Sequence, residues 1–161
     1  MTAQEAYNKL KGVDLWNESM DIMISDLSED MVQMNKDQLW DGKTTEGVNI
    51  TPGYMEDPYF ETPKKGQNYA IWKKKISGNP ARSFNTPNFF IDGRLVYDTL
   101  KVKKNADHLE IEPDGSYDGS RAADFDKKYK NIYGLTRNNL NIIIEKLKPK
   151  LKVRIKQKLG I

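Results

Sequence analysis

The chain has 161 residues, 37% of them hydrophobic and 30% charged, which is enough for one domain with one modest core. It contains no cysteine, which excludes disulfides, thiolate zinc sites, iron–sulfur clusters and cysteine nucleophiles, so packing or oligomerisation must steady the core. The net charge of +3 hides a strong asymmetry: residues 14–41 hold eight carboxylates against Lys36 alone, and residues 136–161 hold eight Lys and Arg against Glu145.

No run of about eighteen apolar residues is present, and the first residues lack the basic and apolar regions of a signal peptide. The expectation is synthesis in a cytoplasm and no membrane partner. Thr2 and Glu5 have capping-box spacing, which predicts a short docking helix over 3–10 that stops at Gly12. Asp14 is a good N-cap for a longer helix, where Trp16, Met20, Met23, Ile24, Leu27, Met31 and Met34 recur at three and four residues. This stripe faces a core or a partner and the acids take the other side, several of them early, where they favour the helix dipole. Methionine in place of leucine keeps the apolar face compliant.

Over 40–88, five of the seven prolines, at 52, 58, 63, 80 and 87, together with Gly78 interrupt any long element. A stretch of this length reads as an extended arm or insertion within a single domain spanning 1–161. Only 63–76 is predicted helical, with Thr62 as N-cap, Pro63 in the first turn, and Tyr69, Trp72 and Ile76 at helical spacing. Tyr54, Tyr59, Phe60, Tyr69 and Trp72 stand near Lys64, Lys65, Lys73, Lys74 and Lys75. Aromatics that stack on bases and lysines that hold phosphates would make a nucleic-acid surface. The favoured reading is an arm tucked by its aromatics onto the domain or onto a neighbouring subunit, because neither an RNP nor a KH signature accompanies the mixture.

The chain is organised around 87–102, where an apolar run reaches a turn and leaves as a second strand. Asp92 and Gly93 form a pair that accepts the positive φ of a tight turn. Beyond it, Leu95, Tyr97, Thr99 and Lys101 are expected on one face and Val96, Asp98, Leu100 and Val102 on the other.

These residues also carry a family resemblance. Asp92-Gly93-Arg94-Leu95 followed by Asp98-Thr99-Leu100-Lys101-Val102 resembles the Thr-Gly-x-Leu-x-x-Ser-Ile-x-Val segment of bacteriophage tail-completion proteins, with Asp92 at the usual Thr and Thr99 at the usual Ser. Leu39-Trp40-Asp41-Gly42-Lys43 and Glu46-Gly47-Val48-Asn49-Ile50-Thr51-Pro52 resemble the Gly-x-x-x-Asp-Gly-x-x-Trp-x-Pro stretch of the related virion-morphogenesis family, with Ile50 where Trp is common. The resemblance implies a ring-forming structural subunit of the head-to-tail connector, beside portal and tail proteins and around the passage of genomic DNA. It also implies a virion location in the neck or tail, a crAss-like or related phage as source, and a terminal helix. In that setting the 40–88 arm clasps a neighbouring protomer or the adjacent ring.

After a turn at 103–107, residues 108–112 alternate as a further strand ending at Pro113, which predicts an antiparallel hairpin. A turn-rich loop over 114–120 and a short helix over 122–129 are expected next, and Thr136 is placed to cap the last helix. The stretch 146–159 alternates basic and apolar residues, a strand period, while Leu147, Leu151, Ile155 and Leu159 fit a helical spacing of four. Pro149 weakens an interior helix by about 3 kcal/mol and also disfavours a central strand. The helical pattern of Leu140, Ile143, Ile144 and Leu147, with the resemblance, favours a helix kinked near Pro149. Lys146, Lys148, Lys150, Lys152, Arg154, Lys156 and Lys158 are candidate contacts to a subunit, to DNA, or to the acidic helix 14–41 in the same or an adjacent chain.

Catalysis finds little support. His108 is the single histidine, no Gly-x-Ser-x-Gly elbow or GxxxxGK[ST] loop is present, and 114–119 lacks the acidic pattern of a calcium loop. No catalytic, cofactor or metal residue is assigned. The reading is an α+β domain with a long N-terminal helix, an extended arm, a small antiparallel sheet and a basic C-terminal helix. It is expected to serve assembly without turnover; the alternative is a nucleic-acid-binding protein using the lysine-rich C-terminus and the aromatic arm.

Overall fold

A computed structural model of the chain describes residues 2–78, 81–91, 94–115, 125 and 127–160. Its elements are α1 (Ala3–Lys11), α2 (Leu15–Trp40), α3 (Pro63–Ser77), β1 (Phe90–Ile91), β2 (Arg94–Leu95), a 3-10 turn (Val96–Thr99), β3 (Leu100–Lys104), β4 (Leu109–Pro113) and α4 (Arg137–Leu159). The class is α+β, with the long helix, the antiparallel hairpin and the terminal helix where the residue patterns put them. Each helix starts on its expected cap: Thr2 with Glu5 in a reciprocal capping box, Asp14 accepting from Asn17 N, Thr62 from Lys65 N and Thr136 from Asn139 N.

Helix α2 is the centre of the molecule. It packs along α4 on one side and receives β3 on another. Its buried face is Met20, Ile22, Leu27, Met31, Asn35, Gln38 and Leu39. That corrects the predicted stripe at both ends: Trp16 is 54% exposed, and beyond Met31 the buried line continues through two amides. The core gathers Ile22, Leu27, Phe89, Val96, Ile132 and Ile143 with neighbours from the hairpin.

The strand expected to alternate through 95–102 is broken. β1 and β2 pair only as Phe90 to Leu95 and Ile91 to Arg94, and the 3-10 turn then redirects the chain into β3. Leu95, Val96, Thr99 and Leu100 are therefore all buried instead of taking opposite faces. Thr99 Oγ1 donates to the Val96 carbonyl at 2.8 Å, which closes the turn internally. Asp92 and Gly93 lie outside the described residues. β3 and β4 pair from Leu100 with Pro113 to Lys104 with Leu109. Residues 116–120 of the expected loop, and 122–124 and 126 of the short helix expected over 122–129, also lie outside the described residues.

Helix α4 continues through Pro149. The double periodicity of 146–159 is resolved by three stripes, each repeating every four residues. Leu147 and Leu151 pack on the core, Lys146, Lys150, Arg154 and Lys158 flank them toward α2, and Lys148, Lys152 and Lys156 flank them on the other side. Among residues 40–88, Ile50 joins the main core, Arg82 N donates to the Trp40 carbonyl at 2.9 Å, and Arg82 pairs with Asp41 at 2.8 Å. The helix α3 is thereby held as a lobe whose entry and exit are tied together.

Candidate functional site

The acidic and basic ends of the chain meet within one molecule. Asp30 pairs with Lys146 at 2.6 Å, Asp26 with Lys150 at 2.9 Å, and Glu18 with Lys158 and, at 3.5 Å, with Arg154. Positions climb on α2 as they fall on α4, which sets the two helices antiparallel and in register. Of the remaining predicted contacts, Lys148 pairs with Glu145 in its own helix, while Lys152 and Lys156 are exposed and make no ion pair among the described residues.

All five predicted arm aromatics come together. Ring centroids lie 5.4 Å apart for Tyr54 and Tyr69, 5.1 Å for Phe60 and Tyr69, 5.2 Å for Tyr59 and Phe60, and 5.4 Å for Tyr69 and Trp72. These separations suit edge and tilted aromatic packing. Tyr54 is buried, its hydroxyl accepting from Asn88 N at 2.7 Å and donating to Asn88 O at 3.3 Å. Tyr59 stands 80% exposed at the outer end of the cluster. Of the nearby lysines, Lys65 pairs with Glu61, Lys74 lies 4.4 Å over the Phe84 ring, and Lys64 and Lys75 are exposed.

Beside this cluster is a cavity of about 260 Å³, walled by Tyr59, Phe60, Tyr69, Lys73, Phe125 and Tyr129 among others. Asp57 lies buried in its wall with both oxygens engaged: Oδ1 accepts from Tyr59 N at 3.0 Å and Oδ2 pairs with Lys128. Lys73 is half-buried, 5.7 Å from the Tyr69 ring centroid, and makes no ion pair among the described residues. Burial pushes its ammonium pKa down and pushes the phenols of Tyr54, Tyr69 and Tyr129 up. Asp57, Asn88, Lys128 and Tyr129 were not visible as site residues in the sequence; the only local sign is the four-residue spacing of Phe125 and Tyr129.

A second concavity of about 560 Å³ runs between the start of α2, β4 and the start of α4, with Trp16, Met20, Met23, Leu109, Ile111 and Leu140 on its walls. His108 sits at its rim, half-exposed, with Nδ1 2.6 Å from Asp107 Oδ1 and Nε2 2.8 Å from Glu110 Oε1. Glu110 first and Asp107 second hold the imidazole pKa above its ordinary value. This is the hairpin position expected of it. Among the described residues no three His, Asp or Glu side chains are grouped to hold a metal ion, and no helix is long and apolar enough to cross a membrane. The chain matches no protein-family model, no curated protein and no solved structure.

Proposed function

We propose that this chain is a structural subunit of a phage head-to-tail connector, joining copies of itself into a ring and contacting neighbouring portal or tail proteins, without a reaction of its own. The observation that carries the reading is a pair of unlike exposed apolar surfaces on one small domain. One lies on α3, where Trp72 is 51% exposed beside Ile71 and Ile76; the other lines the groove bearing Trp16 and Leu140. Exposed large apolar side chains grouped on one helix or one groove are candidates for interaction sites. A ring is built by a heterologous contact, which needs two different patches on every copy.

The placement of the resemblance supports the same reading. Leu39 and Ile50 from one motif region and Leu95 and Leu100 from the other belong to a single core cluster, so both motif regions build one body. The charge complementarity between 14–41 and 136–161 is spent inside the subunit. Lys152 and Lys156 are left facing outward for a neighbour or for DNA.

Sedimentation velocity with negative-stain electron microscopy tests the proposal on the full chain. One discrete ring species is expected. Trp72→Asp and Trp16→Asp should each abolish it, and the mixture of the two variants should form a capped dimer, since one intact pair of patches remains. A monomer at every concentration up to the solubility limit, or a dimer in which either variant alone still closes, overturns the proposal.

A further inference from the structure

We infer that the aromatic lobe holds one unpaired nucleotide of a single-stranded nucleic acid, its base among the rings of Tyr59, Phe60 and Tyr69 and its phosphate on Lys73. Every group it uses lies within one chain, so it can be tested on the free chain, although Tyr69 packs against Trp72 of the α3 patch.

Lys73 supplies the first argument. A lysine drawn partly out of water with no ion pair of its own among the described residues destabilises the free protein, and an anion arriving at the cavity relieves that cost. The walls supply the second. Three aromatic rings in series, Phe60 touching both Tyr59 and Tyr69, offer faces and edges to a planar heterocycle, and a cavity of about 260 Å³ suits a single base better than a larger ligand.

Charge excludes the opposite occupant. An aromatic pocket with an acid in its wall also describes a cage for an ammonium ligand. Here the acid is Asp57, whose charge is balanced by Lys128, so with Lys73 beside them the cavity wall carries a net positive charge that disfavours a cation. Helix α3 carries four lysines besides Lys73 and no acid, a field that draws a phosphodiester chain along its surface. Tyr59, standing at the outer end, gives the next base a platform. A duplex must unstack and unpair a base, at an energetic cost, before it can present one to this cavity, so selectivity for single strands follows.

Fluorescence anisotropy on the full chain, with a short labelled deoxythymidine oligonucleotide, its duplex with deoxyadenosine, and an acidic tyrosine-containing peptide, tests this. The single strand should bind about tenfold tighter than the duplex, and Tyr59→Ala and Lys73→Met should each weaken it by about tenfold. Lys73→Met should also lower the salt slope by about 0.7, and Tyr59→Ala should leave the slope unchanged. Tyr59 is exposed enough that its replacement leaves the fold intact, which circular dichroism verifies. Absence of saturable binding, equal affinity for duplex, or stronger binding of the peptide overturns the inference. So does a loss in Lys156→Met on the basic helix equal to that in Lys73→Met, which would mean diffuse attraction.

Discussion

The side-chain amide of Asn35 donates to the main-chain carbonyl of Ile132 at 3.0 Å, joining positions 97 apart in the chain. Gly134 N reaches back to Asn35 Oδ1 at 3.4 Å, and one turn along α2 Gln38 donates to the Gly134 carbonyl at 3.0 Å while accepting from Thr136 N at 2.9 Å. Two buried amides on one helix thus fix the connection that launches α4. Asn35→Ala removes a partner and leaves the Ile132 carbonyl buried and unpaired, an asymmetry that costs more than the bond contributes. Urea unfolding should show a loss of about 1–3 kcal/mol with an unchanged slope. A loss indistinguishable from zero would mean that the amide carries none of this joint.

The ladder between α2 and α4 should behave unevenly. Asp30 with Lys146 and Asp26 with Lys150 are half-exposed, so water and salt screen them and their service is to set helix register. Glu18 is different: its side chain is 13% exposed, Oε1 accepts from Lys158, and Oε2 lies 3.5 Å from Arg154 in an ion pair without a hydrogen bond. Glu18→Gln is therefore expected to cost roughly 1 kcal/mol and Lys146→Met a few tenths at most. Thermal melts in low and molar salt check the ranking, which fails if Lys146→Met is the more damaging.

Gly66 reports on the docking of α3. A Cβ built there would lie 2.0 Å from the Tyr54 carbonyl oxygen, and backbone cannot step aside as a flexible side chain can. Gly66→Ala, although it favours helix intrinsically, should destabilise by about 1–3 kcal/mol through this overlap. Hydrogen exchange should localise the loss to the lobe, with faster exchange at Tyr54 N, which donates to the Asn85 carbonyl at 3.0 Å. Gly66→Ala as stable as the parent would show that α3 rides free of the 54–60 loop.

What the sequence disclosed follows the range of the forces involved. Thr2, Asp14, Thr62 and Thr136 were readable because capping joins a side chain to a backbone group three residues away. The break at 96–99 was hidden, since Val96 and Tyr97 favour strands and the 3-10 turn is chosen by burying Val96 and Thr99 together. Asn35 and Gln38 lay outside the predicted apolar stripe, because nothing local marks an amide whose partner lies almost a hundred residues on. At the lobe the aromatics were legible from composition. The pairing of Asp57 with Lys128 was not, and Lys73 could not be told from Lys74 and Lys75 until burial separated them.

His108 gives the molecule a titration that can be followed at a single resonance. Both ring nitrogens face carboxylates, Nε2 toward Glu110 and Nδ1 toward Asp107, so the doubly protonated ring is the favoured form. The folded pKa is therefore raised above the ordinary value of about 6.5. A raised folded value means that the stabilisation is fully present below the unfolded pKa and is lost as pH climbs through the folded one. The imidazole proton signal in NMR should titrate with a midpoint above that of a free histidine, falling further in Glu110→Gln than in Asp107→Asn. Stability should decline across the same window in the parent and remain flatter in His108→Gln. A midpoint at or below the free value would remove the carboxylate clamp, and with it the pH sensitivity of the hairpin at the rim of the groove.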